Sequence, residues 1–172
     1  MSGSAPAGLA DDPARALRRS LGCFATGVTI VTAAGRAGEP PIGMTVSSFN
    51  SVSLDPPLVL FSIADNARSL EALSEAPAYA VNVLAADHVD LSNRFARPSE
   101  AKWDGVDYEP GHLGVPCLPG ALAAFECRPY ATYDGGDHVI FVGEVVAHRS
   151  LPDAQPLVFY RGAYHLVTAH PA

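Results

Sequence analysis

The sequence predicts a mainly β domain, an antiparallel barrel with short helices, and three observations support this fold class. Roughly seven or eight short runs are rich in β-branched and aromatic residues, which is typical of strands. Glycine and proline clusters separate these runs, and helical periodicity is confined to brief stretches. Strands and helices do not alternate regularly, as they would around a parallel sheet. A chain of 172 residues is expected to form a single domain with a sizeable core.

The composition argues against several classes of protein. A net charge of -7 disfavours binding to nucleic acid or to an anionic membrane, because both attract basic surfaces. No apolar run approaches the ~20 residues that cross a bilayer. The first residues lack the charged and apolar regions of a secretory signal. Three widely spaced cysteines are typical of free thiols in a reducing compartment. We therefore expect a soluble, cytoplasmic protein.

The N-terminal region contains a tail and a helix. Residues 1–11 are rich in Ala, Gly and Ser and are predicted to be a flexible tail, followed by one domain over residues 12–168 and a short tail over 169–172. Asp12 before Pro13 is a strong helix start, with a capping carboxylate and proline in the first turn. Leu17, Leu21 and Phe24 recur at roughly helical spacing, which predicts an amphipathic first helix. Residues 28–32 form the first predicted strand.

Residues 42–63 are the stretch around which the rest of the chain is arranged. They are predicted to form two strands joined by a hydroxyl-rich bend and a double proline. Small polar residues such as Thr45, Ser47 and Ser48 place many hydrogen-bonding groups on one surface. A flat heteroaromatic ligand with alternating donors and acceptors needs such a wall. The same composition also fits a hairpin whose hydroxyl groups are simply solvated.

A second helix follows this stretch. Asp65 or Asn66 can cap a helix over NARSLEALSEA, which would place Arg68 and Ser69 in its first turn. Free amide groups, the helix dipole, a guanidinium and a hydroxyl together make a phosphate site. The alternative is a solvent-exposed arginine beside a capping serine.

The remaining elements are shorter. A strand over residues 79–84 precedes a short helix that starts at Asp87, and a Pro- and Gly-rich loop covers residues 97–119. The last predicted strands cover residues 124–133, 139–148, 157–160 and 164–167.

The sequence lacks the common nucleotide and metal motifs. There is no GxGxxG after a strand, no GxxxxGK[ST] and no GxSxG nucleophile elbow. The histidines have neither i, i+4 pairing nor cysteine neighbours, so no metal site is expected. Any nucleotide must therefore be held without a Rossmann fold or a P-loop.

Six segments, in order, carry a family resemblance. FATGVTIVT followed by GMTVSSFNSVSLDPPLVLFSI, then NARSLEAL, YAVNVLA, GGDHVIFVGEV and PLVFYRGAY span most of the chain. Together they closely resemble the flavin reductase component of two-component flavin-dependent monooxygenases. The resemblance implies a Greek-key split barrel that dimerises. It also implies an NAD(P)H:flavin oxidoreductase that transfers hydride from NADH or NADPH to FAD or FMN and supplies reduced flavin to a separate monooxygenase.

The resemblance also implies which residues form the site. His138 would lie beside the nicotinamide, as the candidate catalytic residue; a histidine at a strand start is otherwise often a hydrogen-bonded surface residue. Gly43 would allow the backbone to approach the flavin closely. The flavin-binding residues would be Gly43, Met44, Thr45, Ser47, Ser48, Ser62, Ile63, Ala64, Arg68, Ser69, Arg94 and Phe95. The nicotinamide side would consist of His138, Phe159, Tyr160, Arg161 and Gly162.

Two other functions remain open from the residues alone. A split-barrel flavin carrier or sensor would share the flavin wall without needing a nicotinamide pocket. A small barrel for an unrelated apolar ligand would bind no flavin. Substitution of His138 and Arg161 separates a reductase from a carrier.

Overall fold

The computed structural model describes residues 12–151 and 153–171, and within them the protein is mostly β with three short helices. The predicted tail over residues 1–11 lies outside the described residues. The helices are α1 (Pro13–Leu21), α2 (Leu70–Ser74) and α3 (Val89–Ala96). The strands are β1 (Thr26–Gly27), β2 (Thr29–Ala33), β3 (Ile42–Val46), β4 (Asn50–Leu54), β5 (Pro57–Ala64), β6 (Tyr79–Val83), β7 (Glu109–Pro110), β8 (Pro116–Cys117), β9 (Ala123–Asp134), β10 (His138–Ser150), β11 (Val158–Tyr160) and β12 (Ala163–His165). The predicted fold class is confirmed.

One antiparallel sheet of seven strands forms the barrel, in the order β3-β2-β6-β9-β10-β5-β4. β3 pairs with β2 and β4 pairs with β5, so β3 and β4 lie at opposite edges of the sheet. Residues 47–49 alone connect these two edges. A connection this short spans roughly 10 Å, which forces the sheet to curl until its edges meet. We call the place where residues 47–49 cross between the edges the seam.

The prediction of two strands in residues 42–63 was wrong. Asn50–Leu54 is a third strand, because its alternating Ser and apolar residues pair with β5 as a hairpin across the double proline. The hydroxyl-rich segment is therefore divided between the bend at the seam and an edge strand. This division places Ser47 and Ser48 at the seam and leaves Ser51 and Ser53 on the edge strand.

The barrel interior is filled by large apolar side chains. Phe61 of β5 stacks on Phe141 of β10 at 5.3 Å between ring centroids, and Tyr79 meets Phe61 edge-on at 5.2 Å. Val31 and Val81 complete this layer and are fully buried. A second cluster lies on the other face of β2, where Phe95 of α3 packs with neighbours such as Ile30 and Leu84. β2 is covered on both faces, which fixes the position of the adjacent β3.

The predicted start of α1 is confirmed, and its predicted end is not. The Asp12 carboxylate accepts a hydrogen bond from the amide of Ala14 at 3.2 Å. The helix ends at Leu21, so Phe24 lies beyond it. Leu17, Leu21 and Phe24 are 60%, 64% and 77% exposed. The apolar side of this segment is therefore not packed against the barrel of its own chain.

α2 is shorter than predicted. It covers only Leu70–Ser74, and Ser69 is its N-cap rather than a residue of its first turn. Residues 65–69 instead form turns, held by amide-to-carbonyl bonds from Ala67 to Ala64 and from Leu70 to Ala67 at 3.0 Å each. The inward orientation predicted for the apolar positions is confirmed, because Leu73 is buried and Leu70 packs against the core. Arg68 therefore stands in a turn at the end of β5.

Two small sheets flank the barrel. β1, β11 and β12 form a three-stranded sheet, and β7 pairs with β8 inside the predicted loop over residues 97–119. Of the helices in the described part of the chain, none is both long and apolar enough to span a membrane.

Candidate functional site

A cavity of about 530 Å³ opens at the seam. This volume is within the range of small-molecule sites. Its walls come from β3 and the bend, the end of β5 and the turn after it, the end of α3 with the following loop, and the start of β10. The lining residues are Met44, Thr45, Val46, Ser47, Ser48, Ser62, Ile63, Ala64, Asn66, Ala67, Arg68, Ser69, Phe95, Ala96, Arg97, Pro98, Lys102 and His138.

Some hydroxyl groups of the seam are hydrogen-bonded within the protein, and others are free to bind a ligand. Ser48 Oγ donates to the carbonyl of Ser62 at 3.1 Å and accepts from its amide at 2.8 Å, which fastens the bend to β5. Thr45 Oγ1 donates to the carbonyl of Ser92 in α3 at 2.7 Å. Among the described residues, the Ser47 hydroxyl and the amides of Ser47 and Ser48 have no partner. These free groups can serve the polar edge of a ligand.

Gly43 was predicted to let the backbone approach a flavin, and in the structure it does not line the seam cavity. A Cβ atom at this position would overlap the ring of Phe95 and lie 3.1 Å from Trp103. The missing side chain therefore admits the Phe95 ring behind the cavity wall, rather than a ligand in front of it. Phe95 is buried and still contributes to the cavity wall, and Trp103 meets it edge-on at 4.9 Å.

The cavity has a basic lining. Arg68, Arg97 and Lys102 belong to it, whereas no Asp or Glu of the described residues does, in a chain whose net charge is -7. Among the described residues, the guanidinium groups of Arg68 and Arg97 have no hydrogen-bond or ion-pair partner. A concave site with free cations and no carboxylate favours an anion such as a phosphate.

Lys102 is held in the cavity wall by the surrounding backbone. Its Nζ donates to the carbonyls of Gly43 at 3.2 Å and of Phe95 at 3.1 Å, so it ties β3 to the end of α3. Burial lowers the pKa of its ammonium group. An ammonium group carries three donor hydrogens, and two are used here, which leaves one for a ligand.

The turn before α2 supplies further donors. The amides of Arg68 and Ser69 make no hydrogen bond to another described residue, and both residues line the cavity. A phosphate at this turn would therefore meet turn amides and the Arg68 side chain. A helix of five residues contributes little dipole.

His138 borders the cavity where β10 begins. It lies opposite Ala64 of β5 in the strand register, which brings it to the end of the seam wall. Its Nδ1 is 2.7 Å from the Asp137 carboxylate, and this hydrogen bond is the largest cause of the lowered pKa of Asp137. Nε2 has no partner within the described part of the chain. The contact with Asp137 fixes the ring and leaves Nε2 for a ligand.

Two groups of predicted site residues lie elsewhere in this chain. Arg94 Nη1 donates to the carbonyl of Asp104 at 2.6 Å and lines a separate cavity with His88. It is adjacent to Phe95 in sequence, but successive helix residues point about 100° apart. Phe159, Tyr160, Arg161 and Gly162 lie on β11 and the turn to β12, in the small sheet, and do not line the seam cavity.

Sequence reasoning missed the residues that the loop after α3 delivers. Arg97 and Lys102 line the cavity, yet no local pattern distinguishes them from surface cations. Asn66, Ala67, Ala96 and Pro98 also belong to the wall. The sequence indicated these four residues only through their proximity in the chain to Phe95 and Arg68, which were predicted as site residues.

Comparison with known proteins identifies the family and the same fold. The family model for a flavin reductase like domain matches residues 21–168. FMN reductase (NADH) SmoA of Agrobacterium fabrum is 53% identical over 152 residues, covering 87% of this chain and 84% of that protein. The reductase subunit HsaB of a flavin-dependent monooxygenase from Mycobacterium tuberculosis is 39% identical, covering 89% of this chain and 81% of that protein.

Solved structures agree with these relatives. The NADH:FAD oxidoreductase SgcE6 of Streptomyces globisporus, in complex with NAD and FAD fragments, superposes with a TM-score of 0.85 at 41% identity, covering 94% of this chain and 98% of that one. Other relatives are longer: the chain spans 48% and 65% of two proteins from Rhizobium meliloti.

Proposed function

This chain belongs to the flavin reductase like family, and we propose that it transfers hydride from NADH to FMN or FAD and supplies the reduced flavin to a separate monooxygenase. The observation that supports this most is the composition of the seam cavity. The lining combines free hydroxyl and amide groups of the bend with cations that have no carboxylate of the described chain beside them in the cavity wall, and this combination suits a flat polar ring joined to a phosphate. The named activities of the relatives support the same reaction.

The chain's own residues bind and orient the reactants. A bound flavin would supply the chemistry, accepting hydride at N5. We assign the free amides of Ser47 and Ser48 and the Ser47 hydroxyl to the polar edge of the ring. Phe95 and Met44 would form the apolar wall. The Arg68 guanidinium, the Arg68 and Ser69 amides and Lys102 Nζ would hold the phosphate. Such positioning accounts for catalysis, because hydride transfer needs the two rings held together.

His138 is assigned to the nicotinamide side. Asp137 holds Nδ1, so the ring presents Nε2 at the mouth of the cavity. In this position it can donate to or accept from a carboxamide and close one side of the site. Hydride transfer requires no acid or base, so we expect its role to be orientation.

The direct test is nicotinamide oxidation followed optically with FMN or FAD and with NADH or NADPH. We expect turnover with NADH and with at least one flavin. A His138→Asn variant should lose most of the turnover rate and keep flavin binding, measured by quenching of flavin fluorescence. Flavin binding without turnover in the unmodified protein would instead support the carrier. If the unmodified protein shows neither turnover nor quenching of flavin fluorescence, the proposed function is refuted.

We also propose that the protein works as a homodimer. Leu17, Leu21 and Phe24 form an apolar surface at the end of α1 that nothing in the described chain covers. Apolar surface of this kind marks interaction sites. Light scattering after gel filtration should give a mass near 36 kDa, twice the 17.9 kDa of one chain (2 × 17.9). A mass that stays at one chain across micromolar concentrations would contradict the dimer.

The cellular location proposed is the cytoplasm. All three cysteines are free, and Cys117 and Cys127 are buried in the barrel wall. Free thiols persist in reducing compartments, where NADH is also available. Recovery of the protein with the periplasmic or extracellular fraction of cells would overturn this location.

A further inference from the structure

Tyr164 of β12 connects the small sheet with α3, which forms part of the seam cavity. The Tyr164 hydroxyl donates its one hydrogen to Asn93 Oδ1 at 3.1 Å. The Ser92 hydroxyl lies 2.8 Å from the same Tyr164 oxygen and is the donor in that bond, because tyrosine has no second hydrogen to give. Tyr164 does not line the seam cavity, so any effect that it has on a ligand there passes through α3.

The bond between Ser92 and Tyr164 lies beside apolar side chains. Ser92 is 0% exposed, and Tyr164 packs against the apolar cluster that contains Phe95. The Tyr164 ring meets Phe159, its partner across β11 and β12, at 5.5 Å between centroids. A buried hydroxyl is costly to leave without a partner, so this bond fixes the distance between α3 and β12.

Ser92 passes this position on to the wall of the seam cavity. Its carbonyl accepts the hydrogen bond from Thr45 Oγ1 at 2.7 Å, so one residue binds β12 through its side chain and β3 through its main chain. Phe95 follows three residues later in α3, on the same side of the helix. Its ring fills the space that Gly43 leaves, and both Phe95 and Thr45 line the cavity. A shift of α3 against β3 would therefore change the wall at two places.

α3 depends on such contacts more than the small sheet does. It has eight residues, and its N-cap, His88, makes no capping bond with its side chain. Short helices without caps are stabilised mainly by tertiary contacts. The small sheet has backbone pairing of its own, because β12 pairs with β11 and β11 with β1. Loss of the Tyr164 hydroxyl should therefore displace α3 rather than β12.

We infer from these contacts that Tyr164 is a positioning residue for the flavin. By holding Ser92, it keeps α3 seated on β3 and keeps Phe95 in the wall that faces the ring. This role rests on the proposed function and adds a residue outside the cavity to those that determine flavin affinity.

The first test is Tyr164→Phe, which keeps the ring and removes the hydroxyl group. Loss of one buried hydrogen bond corresponds to a change of roughly 3- to 10-fold. We expect the Kd of FMN, measured by quenching of flavin fluorescence, to rise by about that factor. The Kd of riboflavin should rise equally, because the displaced wall faces the ring and not the phosphate. The kcat at saturating flavin should stay within about twofold.

A second measurement needs neither flavin nor turnover. Trp103 is the one tryptophan of the sequence, and its ring meets Phe95 edge-on at 4.9 Å. Its fluorescence emission therefore reports on the place of Phe95. In flavin-free Tyr164→Phe we expect a shifted emission maximum and stronger quenching by acrylamide. A tie that serves stability alone would lower the midpoint of unfolding and leave the emission of the folded protein and the flavin Kd unchanged.

Ser92→Ala removes the same bond from the other side. The double variant Ser92→Ala, Tyr164→Phe should therefore raise the Kd of FMN no more than the larger single change does. The matched control is Tyr130→Phe, which removes a hydroxyl from an exposed tyrosine of β9 that does not line the cavity. It should change neither the Kd nor the Trp103 emission.

The outcomes separate this role from the proposed function. If Tyr164→Phe leaves the Kd of both flavins and the Trp103 emission unchanged, Tyr164 is not a positioning residue. Full additivity of Ser92→Ala and Tyr164→Phe would also overturn the role, because the two residues would then act independently. Absence of flavin binding by the unmodified protein would refute the proposed function, and the Trp103 emission would then decide whether Tyr164 positions Phe95.

Discussion

Replacement of Arg68 by glutamine is expected to raise the Kd of FMN by roughly 10- to 100-fold and to leave the Kd of riboflavin within about twofold. Arg68 lines the seam cavity, and its guanidinium has no partner among the described residues. All of its hydrogen-bonding capacity is therefore available to a phosphate. Riboflavin shares the ring and the ribityl chain of FMN and lacks only the phosphate.

The measurement is quenching of flavin fluorescence with both ligands, at low and at moderate ionic strength. Because the contact is between charges, the difference between Arg68→Gln and the unmodified protein should shrink as salt is added. Arg128→Gln is the matched control, since it changes the net charge equally at an exposed position of β9 that does not line the cavity. Equal losses for FMN and riboflavin would assign Arg68 to the structure of the turn, and no loss for either would remove it from the site.

The second large effect is expected for Gly43→Ala. A methyl group at this position would overlap the Phe95 ring and crowd Trp103. Both rings are packed, so we expect the free energy of unfolding to fall by about 3 kcal/mol. Flavin affinity should fall as well, by roughly 10-fold, because Phe95 and Lys102 form part of the cavity wall and Lys102 holds the Gly43 carbonyl.

Chemical denaturation and flavin titration measure the two consequences. Gly27→Ala is the matched control, because a Cβ atom there meets nothing within 4 Å, and it should change stability by less than about 0.5 kcal/mol. A smaller side chain at position 95 should relieve the overlap. The double variant Gly43→Ala, Phe95→Leu is therefore expected to lose less free energy of unfolding than the two single variants lose in sum. Full additivity would show that the two positions do not interact.

Much of the architecture was readable from local sequence. The Asp12–Pro13 pair positioned the first helix, because capping depends on residues one or two positions apart. The β-branched and aromatic runs gave β2, β6, β9 and β10 close to their observed bounds. The polar residues of the bend were also identified as candidate site residues, because small hydroxyl residues are visible in sequence. Arg68 was identified as part of a phosphate site in the first turn of a helix, although α2 begins only at Leu70.

Other features were decided by contacts between distant segments. β3 and β4 lie at opposite edges of the sheet although only three residues separate them. This placement depends on the order in which all seven strands pair around the barrel. Lys102 and Arg97 reach the cavity because Lys102 binds the carbonyls of Gly43 and Phe95. Arg94 points to another cavity, and Arg161 turns toward α1, for reasons of packing that their local sequences do not contain.

The sequence by itself therefore determined the fold class, the start of the first helix and the polar composition of the seam, whereas the tertiary structure decided which cations share a cavity. The physical reason is the distance along the chain between the residues that interact. Caps, turns and strand propensity depend on neighbours in the chain, so their signals are local. Convergence of Arg68, Arg97, Lys102 and His138 depends on how the sheet curls and where the loop after α3 returns. Those positions follow from burial of Phe95, Phe61 and Phe141 in a common fold, which no short window of sequence encodes.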